Sequence, residues 1–186
     1  MRTRLASALT GIGLAWVAAL SGAQPEDRVP VTERSIKAAY LCKFADYVEW
    51  PDSARYPGGP LTIGVVGSSG MAEELARITA GRRIHERTIQ VRSLARGESL
   101  AGLHVLFVGD ASSERLNELL LPARAQPILT VTESDGALAE GSIINFTIDR
   151  ERVRFEVSLP AAQRSQLKLS SRLLAVAQRV QRTAGS

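Results

Sequence analysis

The sequence predicts a single α/β domain: a three-layer sandwich on a mostly parallel sheet of about six strands, with a C-terminal antiparallel hairpin and a terminal helix. Three observations carry this expectation. Short runs rich in β-branched residues at 61–66, 88–93, 105–108 and 128–132 alternate with helical patterns, the order expected of βαβ units. Farther on, Ile144, Phe146 and Ile148 alternate with polar residues, and so do Val153, Phe155, Val157 and Leu159 after a polar turn. That is a hairpin with one apolar face. Last, Leu173, Leu174, Ala177 and Val180 recur at helical spacing behind Ser170 or Ser171, either of which can cap a helix.

Taken in order, the elements begin at Thr32, a helix N-cap. Ile36, Tyr40, Phe44, Tyr47 and Val48 follow as the expected buried stripe, and Pro51 ends the helix after Trp50. Cys42 falls on the other side, among Ala38, Ala45 and Glu49. Residues 56–60 read as a loop from their prolines and glycines. Helices are expected at 71–80, closed by Gly81, and at 113–121, closed by Pro122. The unbroken apolar run from Val105 to Val108 suits a strand buried on both faces.

The N-terminus has a different character. Arg2 and Arg4 precede an uncharged apolar stretch from Leu5 to Leu20, then Ser21-Gly22-Ala23. These are the charged, apolar and small-residue regions of a secretory signal. Residues 1–23 are therefore expected to be cleaved, 24–31 to form an extended leader, and 32–186 to form one domain. The apolar run is shorter than the roughly 20 residues a spanning helix needs. No Cys sits at the cleavage site, which argues against a lipidated product. The mature chain is expected to have no transmembrane segment and to be periplasmic. Loss of Arg2 and Arg4 lowers the formal charge from +4 to +2, so the mature domain is not strongly basic. Cys42 is the only cysteine, so no intramolecular disulfide can form and stability must come from the core.

Chemical motifs are sparse. Gly64, Gly67 and Gly70 are spaced G-x-x-G-x-x-G, which departs from the dinucleotide fingerprint, and no P-loop lysine follows. They read as a tight turn into a helix, so no cofactor is expected. His85 and His104 are the only histidines and neither has a second ligand at metal spacing, so no metal is expected. No nucleophile elbow occurs, and no catalytic residues are assigned. Arg77, Arg82, Arg83, Arg87, Arg92 and Arg96 lie close together, but Glu73, Glu74, Glu86 and Glu98 offset them and no aromatic is interleaved. A solvated face is expected there rather than a nucleic-acid reader.

Trp50, set between Glu49 and Pro51, reads either as a core anchor or as a partner-facing aromatic of the kind enriched in binding hot spots.

Four ordered stretches together resemble the YfiR-like family of exported bacterial proteins. They are residues 36–51 with Tyr40, Phe44 and Trp50-Pro51; residues 61–67; residues 141–157 around Asn145-Phe146 and Phe155-Glu156; and residues 167–174. The resemblance implies an α/β sandwich that forms a homodimer and lacks a catalytic site. It implies a periplasmic regulator that represses an inner-membrane diguanylate cyclase by docking to its periplasmic region, lowering cyclic-di-GMP and biofilm formation. A sensor kinase is the other implied partner. On this basis Tyr47, Glu49, Trp50, Pro51, Arg154, Glu156 and Arg172 are the candidate partner-binding residues. The alternative is a small-ligand sensor or carrier, binding at the carboxyl ends of the parallel strands and acting on a histidine kinase or other envelope receptor. Two departures stand out. Redox-responsive members carry cysteine pairs where this chain has only Cys42, and Ser158 stands where the family usually shows Asn.

Overall fold

A computed structural model describes residues 32–54, 59–109 and 113–183. The signal segment 1–23, the leader 24–31 and most of the expected loop at 56–60 lie outside the described residues. In chain order the elements are α1 (Glu33–Asp46), β1 (Val48–Glu49), β2 (Leu61–Val66), α2 (Ser69–Thr79), β3 (Arg83–Ile84), β4 (Arg87–Leu94) and β5 (Val105–Val108). Then come α3 (Ser113–Leu120), β6 (Leu129–Thr132), β7 (Ile144–Asp149), β8 (Arg152–Ser158), α4 (Leu159–Arg164), β9 (Lys168–Leu169), α5 (Ser171–Val176) and β10 (Arg179–Gln181).

Thr32 caps α1 as expected, in a reciprocal box: its Oγ1 accepts the Ser35 N–H at 3.2 Å, and Ser35 Oγ accepts the Thr32 N–H at 3.0 Å, satisfying two otherwise orphaned donors. The helix ends four residues before the expected stop. Tyr47 leaves helical geometry, and Val48 and Glu49 pair with Leu169 and Lys168 of β9. The buried face is also rotated from the expected stripe. Lys37, Ala38, Leu41, Phe44 and Ala45 are buried, while Ile36 and Tyr40 are half-buried at its margin. The small side chains of Ala38 and Ala45 let the helix backbone approach its neighbours closely, which a stripe of large residues would prevent.

The expected three-layer sandwich on a sheet of about six strands with a C-terminal hairpin is corrected by the sheet itself. Among the described residues it has eight strands in the order β10-β8-β7-β6-β5-β2-β4-β3, and it curls through 211° into an open half-barrel. Strand twist accumulated over so many members produces such curvature. The β2-β4, β2-β5, β5-β6, β6-β7 and β8-β10 pairs are parallel, whereas β7-β8 and β3-β4 are antiparallel. The β7-β8 pairing does not finish the sheet, because β10 adds beyond it. Here the expected last helix stops short: Ser170 caps α5 as expected, but the helix ends at Val176. Ala177 is extended (φ −68°, ψ 139°), and Arg179, Val180 and Gln181 pair with Glu156, Val157 and Ser158. A helical repeat through Val180 and a strand containing Val180 draw on the same apolar residues, so periodicity alone did not separate them.

Two apolar clusters hold the sheet. On the α1 side, Val105 and Phe107 join Leu129, Val131, Phe146, Phe155 and the inner faces of α1 and α2. On the α3 side, Leu106 and Val108 join Val66, Leu94, Leu116 and Leu120. β5 therefore feeds both layers, as its unbroken apolar run foretold. Tyr40, Phe44, Phe146 and Phe155 form a ring cluster with centroid spacings of 4.8 to 6.1 Å, a spacing at which aromatic pairs add to simple burial.

Candidate functional site

The α3-side cluster draws no residue from β7, β8 or β10, and the outward side chains there are polar. Alternation along β8 sends Val153, Phe155 and Val157 into the α1-side core and turns Arg154 and Glu156 the other way. Register places Thr147 beside Arg154 and Asn145 beside Glu156. β10 adds Arg179 and Gln181 to this face, the 136–139 connection supplies one wall, and Pro160 and Arg164 of α4 supply another. With Asn145, Glu156 and Ser158 these residues enclose a recess of about 560 Å³, and Thr147 and Arg154 lie on the same strand face outside its lining.

The floor of the recess is buried and hydrogen-bonded. Thr132 Oγ1 lies 2.8 Å from Asn145 Oδ1 and 2.9 Å from Ser142 Oγ, whose hydroxyl donates to the Ile144 carbonyl at 2.8 Å. Such a network orients Asn145. At the rim Arg179 Nη2 donates to Glu156 Oε2 at 2.8 Å, and Gln178 Oε1 accepts from Thr147 at 2.9 Å. Ser158 faces inward as the N-cap of α4, accepting the Ala161 N–H at 3.4 Å, so the departure from Asn leaves a capping residue in place.

The sequence-predicted residues fall into two groups. Glu156 lines the recess, and Arg154 lies beside it on the same strand face, outside the lining. Tyr47, Glu49 and Arg172 gather elsewhere, around the β1-β9 ribbon, where the Ser170 N–H donates to the Tyr47 carbonyl at 3.0 Å and Lys168 lies opposite Glu49. Glu49 and Arg172 are exposed and Pro51 is half-buried. Val48 and Leu169 pack into the α1-side core, so the ribbon lies on the opposite side of the sheet from Glu156. Trp50 is only 7% exposed, its ring set edge-on to His104 at 5.8 Å. The recess residues Asn145, Arg164, Arg179 and Gln181 were missed. For Asn145 the strand alternation was a usable signal; for Arg179 and Gln181 the helical reading concealed it.

His104 is a structural node. Its Nδ1 accepts the Thr62 N–H at 3.2 Å, and the Arg87 guanidinium lies 2.9 Å from its Nε2. Burial, and then the Arg87 guanidinium, hold its pKa down to about 4, so the imidazole is neutral at physiological pH. Arg87 itself donates to the Gly59 and Pro60 carbonyls at 2.8 and 2.7 Å. The arginine-rich stretch thus divides by role. Arg77 and Arg92 pair with Glu74 and Glu98, Arg83 donates to the Glu86 carbonyl, and Arg87 ties down the segment before β2.

A second recess, of about 430 Å³, opens near the carboxyl ends of β2 and β6, between α1 and the start of α2. Lys37 reaches Glu33 at 2.5 Å and Glu133 at 2.6 Å. Burial would lower the Lys37 pKa, but hydrogen bonds to Glu133 and then Glu33 outweigh it and raise it. Gly70 admits the Arg34 guanidinium, which lies 2.8 Å from where a Cβ would stand. Cys42 is half-buried, and burial pushes its thiol pKa up, the setting of an unreactive thiol. Among the described residues no three His, Cys, Asp or Glu side chains gather as metal ligands, and no helix is long and apolar enough to cross a membrane.

A family model described as YfiR/HmsC-like matches residues 34–178. The chain belongs to the YfiR/HmsC-like family. The match begins in the first turn of α1 and ends one residue before β10, so it takes in every element of the recess except that strand. Among solved structures, a conserved domain protein from Vibrio cholerae O1 biovar eltor is similar, with a TM-score of 0.54 and 10% sequence identity. The alignment covers 81% of this chain and 61% of that one. At that identity the likeness speaks for the fold. No curated protein matches the chain.

Proposed function

We propose that this protein is a periplasmic regulatory binding protein that represses a membrane-bound signalling protein, a diguanylate cyclase in the first instance, by docking to its periplasmic region. Membership of the YfiR/HmsC-like family supports the reading, as does the secretory pattern of residues 1–23. The observation that carries it is the polar recess over β7, β8 and β10. A sheet face left without a covering helix, with an ordered floor and a charged rim, is a surface built to be met by another molecule. Repression then requires better binding to the inactive state of the receptor than to the active one, because only differential affinity shifts an equilibrium. The test is an Arg154→Glu, Glu156→Arg variant, checked for folding and assayed for cellular cyclic-di-GMP. Loss of repression is expected; unchanged repression by the folded variant removes this face from the mechanism.

The recess around Lys37 favours a second reading, a small-ligand sensor. Its place near the carboxyl ends of β2 and β6 is where open α/β sheets bind ligands, and its lining mixes carboxylates with basic groups. A ligand-dependent rise in melting temperature without any protein partner would support it.

A further inference from the structure

β4 is eight residues long, yet its outer side is only partly covered. β3 pairs with Arg87 and Thr88 and with nothing beyond them. Residues 89–94 are paired with β2 on one side, and among the described residues no strand pairs with them on the other. The row of backbone donors and acceptors on that side is a template for another strand. Beside it runs a groove of about 470 Å³ between the end of α2 and β4. Its walls include Ala76, Ala80, Ile89 and Val91, and its charged residues are Arg82 and Arg83, with no carboxylate among the lining.

We infer that the open edge of β4 accepts an extended, acidic segment of a partner polypeptide as an added strand. Main-chain hydrogen bonds to residues 89–94 would supply affinity, and the groove would take alternate side chains. Charge decides between occupants. A second copy of this chain would bring its own Arg82 and Arg83 to the same edge, and like charges facing one another disfavour that pairing. Acidic side chains on the incoming strand would instead meet Arg82 and Arg83. The surface is distinct from the recess at Glu156, so this inference stands or falls apart from the one above.

The test uses the mature chain and a synthetic peptide as long as β4, alternating valine with glutamate, against a control with lysine in place of glutamate. Fluorescence anisotropy is expected to show saturable binding of the acidic peptide only, weakening as salt rises. Hydrogen exchange is expected to slow at amides within 89–94 and not at β10. An Arg82→Glu, Arg83→Glu variant with an unchanged melting temperature is expected to bind about tenfold more weakly. Arg82→Glu alone guards against loss of the contact between Arg83 and the Glu86 carbonyl. Equal binding of both peptides, no protection at 89–94, protection that appears only through self-association, or binding of anionic phospholipid vesicles without the peptide would each overturn the inference.

Discussion

The two ends of the half-barrel are finished in opposite ways. At one end the chain returns after α5 to lay β10 beside β8, fastened by the Gln178 N–H to the Phe155 carbonyl at 2.9 Å and by the Arg179–Glu156 pair. Just inside lies the ring cluster of Tyr40, Phe44, Phe146 and Phe155. At the other end a two-residue strand covers only the start of β4, and Ile89, Val91 and Arg92 stay half-buried. The first end is stabilised by aromatic packing and carries its polar recess on an ordered floor. The second keeps an incomplete edge, where Ile84 and Leu94 are buried but residues 89–93 are not.

Substitutions make that contrast measurable. Phe155→Ala should destabilise the fold by about 3–5 kcal/mol in chemical denaturation, as for a fully buried aromatic, whereas Val91→Ala on the open strand should cost about 1 kcal/mol or less. Comparable losses at the two sites would erase the distinction. Next comes pH. The His104 pKa is about 4 in the fold against an ordinary 6.5. The unfolded chain therefore binds the proton first as pH falls, and stability is full above about 6.5 and lost toward 4, by about 3 kcal/mol. A His104→Asn variant should flatten that part of the stability–pH curve; an unaltered slope would place its source elsewhere.

Gly64→Ala tests the packing between β2 and its α3-side cover. The new Cβ would lie 2.7 Å from methyl carbons of both Leu94 and Leu103, and overpacking of this kind costs about 1–3 kcal/mol. Thermal unfolding of the variant reads it directly, and a neutral result would mean that the two leucines repack freely. Smallest is Glu156→Gln. Arg179 is 65% exposed in its pair with Glu156, so the change should cost less than about 1 kcal/mol, while still removing charge from the recess rim. A larger loss would make the β10 end depend on that pair rather than on its backbone ladder.

Much of this was legible in the sequence, and the rest was hidden for identifiable reasons. Residues 61–66 and 105–108 are strands at the expected bounds because β-branched runs broken by glycine or proline have few other outcomes,. β1, β3 and β9 are two residues each, too short to display any period. Leu173, Leu174, Ala177 and Val180 fit a helix as well as the mixture of α5 and β10 that forms, and the choice was made by pairing with β8. At the candidate site, alternation exposed Arg154 and Glu156, but their neighbour Arg179 arrives from the misread segment. Trp50 allowed a core or a surface reading; it lies in the α1-side core, edge-on to His104, which is distant in sequence.

Both hairpins turn on left-handed residues that are not glycine: His85 and Glu86 at φ 48° and 62°, and Arg150 and Glu151 at the same angles. Tight turns of this kind normally use Asn-Gly or Asp-Gly, so neither turn is a strong local nucleus. The β7–β8 register is then set by Phe146 and Phe155, which pair across the strands. Replacing Arg150-Glu151 by Asn-Gly is therefore expected to raise the melting temperature, since that pair adopts two positive φ angles with less strain.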